Sequence, residues 1–216
     1  MSLSKPQKTV ADCKSRFRVL IAGRRFGKSY LSINELAKFA RHPDKKCLYV
    51  APSYKVARQS IWDDLKNKLL AVRWVKKIND TSMTITLKNN SIIMIRSADN
   101  YDGLRGLGID FAVFDEIADI KPETWTEVVR YALAAQTPVG HALFIGTPKG
   151  ATNWAKELYD MGTGYTKQKD WQSFQYTSIE GGLITDEEIE TQRATSDPRT
   201  FRQEMMATFE SYLLQL

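Results

Sequence analysis

The feature that most restricts the fold of this chain is a glycine-containing turn between a buried strand and a helix. The apolar run at residues 17–22 (FRVLIA) leads into AGRRFGKS at residues 22–29. The next segment places Ile33, Leu36 and Ala40 on one helical stripe. This arrangement is the P-loop pattern, with Ala22 where the general pattern has glycine. The sequence therefore predicts a strand, a phosphate-binding loop and a helix.

A P-loop at this junction implies nucleotide chemistry. The loop N–H groups and the positive end of the helix would bind the β- and γ-phosphates of ATP. The residues expected to supply this cradle are Gly23, Arg25, Phe26 and Gly27. Lys28 would add a mobile positive charge, and the Ser29 hydroxyl would ligate Mg²⁺. A chance GKS is the alternative, but the strand before it and the helix after it favour the functional interpretation.

Short apolar runs alternate with amphipathic helical patterns along most of the chain. The runs are residues 47–51, 111–114, 142–145 and 171–176. Such alternation is typical of a parallel sheet covered on both faces, so we predict a doubly wound, RecA-like α/β fold. Residues 83–87 and 92–95 break the alternation, because the Asn pair between them favours an antiparallel hairpin.

The C-terminal residues differ in pattern from the rest. Two short helical patterns, residues 186–193 and 198–209, follow the last predicted strand. We therefore expect a P-loop domain at residues 1–177 and a short helical linker or subdomain at residues 178–216. The apolar ending SYLLQL suggests that the sequence was cut at a domain boundary.

Composition narrows the class of protein. Of 216 residues, 43% are hydrophobic and 26% charged, which suits one medium domain with a core. There is neither an 18-residue apolar run nor a secretory signal, so we expect a soluble, intracellular protein without membrane contact. The net charge of +6 favours polyanionic partners, although scattered lysines also fit a solvated surface. The two cysteines, Cys13 and Cys47, suggest no disulfide framework or metal site.

Two further motifs end predicted strands. Asp115 and Glu116 follow FAVF, at the strand end where open parallel sheets bind ligands. There Asp115 would join the Mg²⁺ shell, and Glu116 would act as general base on the attacking water. Thr147 follows FIG and would face the γ-phosphate. The alternatives are solvated loop acids in the first case and a simple turn in the second.

The order of these motifs resembles that of the large terminase subunits of tailed bacteriophages. The matching segments, within residues 6 to 210, are Arg24 in the P-loop, Ala51-Pro52-Ser53-Tyr54, Leu104-Arg105-Gly106, Asp115-Glu116, Thr147-Pro148 and Phe201-Arg202-Gln203-Glu204. The resemblance implies an ATPase that packages double-stranded DNA into a procapsid in the cytoplasm of an infected bacterial host. It also implies a homo-oligomeric ring, a portal protein and a small terminase subunit as partners.

The resemblance implies roles for single residues. Gln7 corresponds to the adenine-recognising glutamine, and Arg24 to the P-loop arginine that senses the γ-phosphate. Arg105 resembles the arginine given to the active site of a neighbouring subunit. Thr147 would couple hydrolysis to movement, and Tyr54 would lie near the nucleotide.

Simpler alternatives remain open for these residues. Gln7 could be a surface glutamine near a terminus, and an aromatic such as Tyr54 often packs without binding anything. Arg105 could pair with an acid such as Asp102 or Asp110.

Too few residues follow Thr147 for the nuclease domain of large terminases, which would need over ~100 more residues, so we expect no DNA cleavage.

Two other functions are also compatible with the motifs. A helicase-like translocase fragment is one alternative, although it would lack a second RecA-like lobe. A nucleotide-gated assembly module that binds ATP without turnover is the other, and the presence of Glu116 argues against it.

Overall fold

The structure, a computed structural model, describes residues 2–211 and has the predicted α/β architecture. Its strands form an eight-stranded, mostly parallel mixed sheet. The strands are β1 (Phe17–Ala22), β2 (Lys46–Ala51), β3 (Val75–Asn79), β4 (Thr84–Leu87), β5 (Ile92–Ser97), β6 (Phe111–Phe114), β7 (His141–Gly146) and β8 (Trp171–Tyr176).

The α-helices alternate with these strands through most of the described range. They are α1 (Lys5–Asp12), α2 (Lys28–Ala40), α3 (Tyr54–Ala57), α4 (Asp63–Ala71), α5 (Arg130–Ala134), α6 (Trp154–Met161), α7 (Ser178–Gly181), α8 (Asp186–Thr195) and α9 (Pro198–Glu204). Wider π-type turns, Arg58–Trp62 and Thr124–Val129, precede α4 and α5. Within residues 2–211 no helix is long and apolar enough to cross a bilayer.

The chain divides into two compact units. The first contains the described residues up to Leu31 and from Leu143 onward, and the second contains Ser32–Ala142. In the first unit the strand order is β7-β1-β8, and β1 pairs with β8 in parallel, from Phe17 opposite Trp171 to Ala22 opposite Tyr176.

Helix α1 was not predicted from the sequence. Ser4 and Gln7 form a capping box at its start, and a proline occupies its first turn, where a missing N–H costs nothing. The buried Arg18 on β1 donates from Nη1 to the Val10 carbonyl at 2.9 Å, which ties α1 to the sheet.

The second unit has the strand order β3-β4-β5-β2-β6. Strand β2 pairs in parallel with β5 and β6, whereas β3, β4 and β5 pair antiparallel. The predicted hairpin is thus confirmed as β4 and β5, but Met83 lies outside it with a φ of 43°. Sequence reasoning missed β3, because its lysine-bearing, half-exposed residues lack the pattern of a buried strand.

The predicted helical stripes mostly bury the residues expected. Ala57, Ile61, Leu65 and Leu69 are all buried, as are Trp125, Val128 and Val129 in the segment after β6. At the C-terminus, α8 and α9 confirm both predicted helices, although the second ends at Glu204 and not at residue 209. Most of the apolar ending noted in the sequence lies outside the described residues.

Candidate active site

The P-loop lies between β1 and α2 in the first unit, and two of its glycines are required by geometry. Gly27 has a φ of +92°, which a residue with a side chain adopts only under strain. At Gly23 a Cβ would lie 2.6 Å from the Met205 carbonyl and 2.7 Å from the Ser178 nitrogen. The close approach of these C-terminal residues therefore excludes a larger residue from the loop.

Lys28 is held inside this loop. It is only 9% exposed, and its Nζ donates to the carbonyls of Ala22 and Gly23 at 3.0 and 3.1 Å. Its third donation, at 3.1 Å, goes to the Thr147 hydroxyl. The structure thus brings the threonine of the Thr-Pro motif to the P-loop lysine, 119 residues away in sequence.

The beginning of α2 suits a bound phosphate. The helix starts at Lys28 and runs for 13 residues, so its first N–H groups have no acceptor within the helix. These donors and the helix dipole favour an anion at this end. Ser29, half-buried in the first turn, offers the hard hydroxyl oxygen that Mg²⁺ prefers.

Gln7 fixes the loop from the other side. Its Oε1 accepts from the Ser4 nitrogen at 2.9 Å, and its Nε2 donates to the carbonyls of Phe26 and Gly27 at 3.2 Å each. Gln7 is 4% exposed, so the alternative of a surface glutamine is wrong. Both Nε2 hydrogens are engaged by the loop, so donation from this amide to adenine, which stays a prediction, would require one of these two bonds to break.

Arg24 contacts the C-terminal Phe-Arg-Gln-Glu motif. Its Nε lies 2.5 Å from Glu204 Oε2, and its backbone nitrogen donates to the Glu204 carbonyl at 2.8 Å. In the same motif Phe201 joins a small buried cluster, while Gln203 accepts from the Gly150 nitrogen at 3.2 Å. Sequence reasoning noticed this motif but assigned Glu204 no contact.

Hydrogen bonds and nearby positive charges keep the Glu204 carboxylate ionised. Its burial alone would raise its pKa, but hydrogen bonds from Arg24 and Gln203 and the charges of Arg24 and Lys149 outweigh that effect. The pKa of Glu204 is therefore lowered below its usual value, and the carboxylate stays ionised at neutral pH. Arg24 itself is 71% exposed, which leaves its guanidinium accessible to a ligand.

Arg25 and Phe26 occupy the middle of the loop. Arg25 adopts the left-handed conformation with a φ of 61° and is exposed. Phe26 is fully buried and stacks on Tyr176, with ring centroids 5.5 Å apart. Phe26 therefore anchors the loop to the sheet, while its backbone remains the part predicted to meet phosphate.

In the second unit, Asp115 directly follows β6 and is buried and hydrogen-bonded. It is 3% exposed, the Tyr49 hydroxyl donates to its Oδ2, and the Glu116 nitrogen donates to its Oδ1 at 2.9 Å. Burial and the nearby Asp115 charge raise the pKa of Tyr49 well above its usual value, so Tyr49 remains a proton donor. Asp115 offers the oxygen donor type that Mg²⁺ takes, which fits its predicted role.

Tyr49 is a residue that sequence reasoning missed. It lies in the middle of the buried strand β2, with Val113 of β6 as its register partner. A buried tyrosine hydroxyl usually has a hydrogen-bond partner, so a tyrosine within CLYVA was the available clue.

Glu116 has an unusual backbone. It is half-buried, with φ 49° and ψ 51°, and it precedes the short 3₁₀ turn Ile117–Asp119. A left-handed conformation costs a residue with a side chain on the order of 1–2 kcal/mol, and such costs concentrate at functional sites. This strain is consistent with the predicted role of Glu116 as the base.

Arg105 occupies the corner of a tight turn. Its φ and ψ of −62° and 141°, followed by a φ of +77° at Gly106, are those of a type II turn. The Leu107 nitrogen donates to the Leu104 carbonyl at 3.4 Å, and Leu104 is buried. The Leu-Arg-Gly order thus has a physical reason. The buried leucine anchors the turn, the arginine side chain projects from its corner, and the glycine adopts the positive φ that the turn requires.

Two carboxylates hold the Arg105 guanidinium. Nε lies 2.8 Å from Asp102 Oδ1, and Nη2 lies 3.5 Å from Glu127 Oε2. The hydrogen bond to Asp102 is the main cause of a raised Arg105 pKa. The sequence allowed Arg105 to pair with Asp102, and the structure contains this ion pair. Pairing with Asp110 was wrong, because Asp110 bonds Lys45 at 2.8 Å.

Tyr54 begins α3 in the second unit. Ser53 caps this helix by accepting from the Val56 nitrogen at 3.3 Å, and the Tyr54 hydroxyl donates to the Thr81 carbonyl at 3.0 Å. Tyr54 is 46% exposed, and its proximity to a nucleotide stays a prediction.

Comparisons with known proteins identify the family of this chain. A family model described as "Terminase large subunit, T4likevirus-type, N-terminal" matches residues 19–211. The large terminase subunit of Escherichia phage T5 is 31% identical over 204 residues, which cover 93% of this chain and 45% of that protein. This chain thus spans about half the length of that curated relative.

Solved structures show the same fold. The large terminase ATPase domain of Thermus phage P74-26 has a TM-score of 0.84 and 25% identity, with coverage of 97% of this chain and 94% of that one. The large terminase of another thermophilic bacteriophage, solved in complex with ADP, has a TM-score of 0.77 and 17% identity, with coverage of 96% and 54%. On the match to residues 19–211 and the likeness to the phage T5 protein, this chain belongs to the large terminase subunit family.

Proposed function

We propose that this chain is the ATPase motor domain of a phage large terminase, which hydrolyses ATP with Mg²⁺ to drive double-stranded DNA into a procapsid. The observation that carries the proposal is the buried Lys28 ammonium, which the P-loop carbonyls hold against the Thr147 hydroxyl. The thermophilic phage terminase solved with ADP supports a nucleotide as the ligand.

The residues of the chain divide the chemistry among them. The P-loop N–H groups and Lys28 would hold the β- and γ-phosphates, and Ser29 and Asp115 would hold the cation. Bound Mg²⁺ would neutralise phosphate charge during transfer. Glu116 would orient the attacking water and accept its proton.

Arg24 and Arg105 would supply positive charge to the transferred phosphoryl group. Arg24 would act within its own subunit, on release from Glu204. Arg105 would act on the neighbouring subunit of a ring, where such an arginine can contribute ~10³ to 10⁵ in rate. Thr147, bonded to the P-loop lysine, would transmit the loss of the γ-phosphate to the chain that follows it.

The wider assignment follows from family membership. We propose a ring at a portal protein, with a small terminase subunit as partner, in the cytoplasm of an infected bacterium. We further propose that residues 1–177 form the ATPase domain, that residues 178–216 form a helical linker, and that these residues hydrolyse ATP and do not cleave DNA.

The test separates binding from turnover. Lys28→Ala should reduce ATP hydrolysis at least about 100-fold, while Glu116→Ala should keep binding of a fluorescent ATP analogue and lose about 10²- to 10⁴-fold in turnover. Lys8→Ala, an exposed lysine on α1, is the matched control and should leave both unchanged. Turnover that survives in Glu116→Ala would refute the base assignment. Absence of turnover in the wild type, despite ATP binding, would favour the nucleotide-gated module.

The trans role of Arg105 has its own measurement. Specific ATPase activity should rise with protein concentration and with linear double-stranded DNA. Arg105→Ala should remove the concentration dependence while nucleotide binding persists. A specific rate that stays flat for the wild type across concentrations would exclude the trans arginine.

A further inference from the structure

The second unit carries a groove whose lining contains none of the predicted nucleotide-binding residues. It has a volume of about 500 Å³ and lies among α2, α4, the start of β3 and the β4–β5 turn. Its apolar lining comes from Ile33, Ala37, Leu69, Val72 and Trp74. This volume is in the range of ligand pockets, ~300–1,000 Å³, and can accept a few large apolar side chains.

Part of this apolar surface is in contact with water. Val72, which lines the groove, is 66% exposed. Fully burying a valine side chain is worth on the order of 1.5 kcal/mol or more. A partner that covers Val72 would therefore gain binding free energy from it.

Hydrogen bonds to backbone carbonyls fix the walls of the groove. Asn89 Nδ2 donates to the carbonyls of Ala40 and Arg41 at 2.9 and 3.1 Å, which closes the end of α2 against the β4–β5 turn. On the other side, the Trp74 nitrogen donates to the Leu69 carbonyl at 3.2 Å. A groove with fixed walls loses little conformational entropy when it is filled.

The charged residues that line the groove are basic, although Asp64 lies close enough to Lys68 to affect its pKa. Arg41 and Lys68 line it, and the described residues that complete the lining are neutral. Exposed Arg73 and Lys76 adjoin it in sequence, and exposed Lys88 donates its N–H to the Trp74 carbonyl at 2.9 Å. Burial lowers the pKa of Lys68, with partial opposition from Asp64. A carboxylate placed against Lys68 would offset this desolvation.

We propose that this groove docks an acidic amphipathic helical segment of another protein. The apolar floor would receive side chains at helical spacing, and the basic rim would pair with flanking glutamates or aspartates. Phosphate contacts on DNA are made by polar and basic groups and do not need an apolar floor. The floor of Val72, Leu69 and Trp74 is what favours a protein segment over nucleic acid.

The test uses two fluorescein-labelled peptides of equal length and composition, rich in Glu and Leu. One places Leu on a single helical face, and the other scrambles the order. The amphipathic peptide should bind with a Kd on the order of 10 μM, and its scrambled counterpart at least about tenfold more weakly. Val72→Asp and Lys68→Glu should each weaken the amphipathic peptide about tenfold.

Matched controls in the same unit are Val139→Asp and Lys121→Glu. Val139 is 46% exposed and Lys121 is also exposed, but neither lines the groove, so both variants should bind like wild type. Thermal unfolding checks that every variant is folded, and Lys68→Ala replaces Lys68→Glu if that variant is not.

Three outcomes would overturn the proposal. Equal binding of both peptides would mean that only charge is recognised. A 20-base-pair DNA duplex whose binding drops in Val72→Asp and Lys68→Glu would assign the groove to nucleic acid. No binding of the amphipathic peptide up to millimolar concentration would exclude the helical partner. The outcome does not depend on ATPase activity, so it is independent of the proposed function.

Discussion

The contact between Gln7 and Gly27 makes a specific prediction about how the P-loop is stabilised. A Cβ added at Gly27 would overlap Gln7 Nε2, the atom that donates to the carbonyls of Phe26 and Gly27 itself. Gly27→Ala should therefore strain the backbone at a φ of +92° and also displace Gln7. Gln7→Ala should remove both the side chain that obstructs a Cβ at Gly27 and the hydrogen bonds from that side chain to the loop.

The magnitudes follow from the number of interactions. Gln7→Ala loses two bonds to the loop and one to Ser4, each worth about 0.5–1.5 kcal/mol, so about 3 kcal/mol in all. Gly27→Ala should cost about 1–2 kcal/mol for the left-handed backbone and about 2 kcal/mol for the displaced amide. The double variant should cost about 4–5 kcal/mol, because it has no Gln7 amide for the new Cβ to displace. The two single losses therefore exceed the loss in the double variant by about 2 kcal/mol, which is the coupling energy between the two positions.

Thermal unfolding without nucleotide measures all three variants. A domain of this size loses roughly 2–4 °C per kcal/mol, so Gln7→Ala should lower Tm by about 6–12 °C. Strictly additive losses in the double variant would refute the contact. So would a Gln7→Ala variant as stable as wild type, because Gln7 would then not support the loop.

Three further predictions concern other contacts. The pKa of Glu204 is lowered in the folded state, so its pairing with Arg24 stabilises the protein above pH 4.5, and this stabilisation is lost as pH falls through the lowered pKa. In thermal unfolding, the stability difference between wild type and Glu204→Gln should therefore shrink from pH 6 to pH 3. A difference that stays constant over this range would contradict the prediction. Tyr49→Phe should cost about 1–3 kcal/mol in urea unfolding, because the buried Asp115 loses a donor, and an unchanged midpoint would refute that bond. A Cβ at Gly106 would meet no atom within 4 Å, so Gly106→Ala should cost only the backbone strain, about 1–2 kcal/mol in thermal unfolding, and leave nucleotide binding intact. A much larger loss of stability would mean a hidden contact.

Much of this protein could be predicted from residue order. The P-loop junction, the parallel sheet, the β4–β5 hairpin and α8 all follow from local patterns of hydrophobicity and turn residues. Asp115 and Thr147 were identified for the same reason, because a polar residue after a buried strand must lie at the edge of the sheet. Strand β3 was missed, since an edge strand needs no apolar alternation.

The partners of the site residues depended on the tertiary structure. Arg24 meets Glu204 across 180 residues of sequence, Lys28 meets Thr147 across 119, and Tyr49 meets Asp115 across 66. Local pattern determines which face of a strand or helix is buried, so residue order alone predicted most of the helices and strands and the polar residues at their ends. Which side chains then pair depends on strand order and on the packing of distant segments, and no local periodicity encodes that.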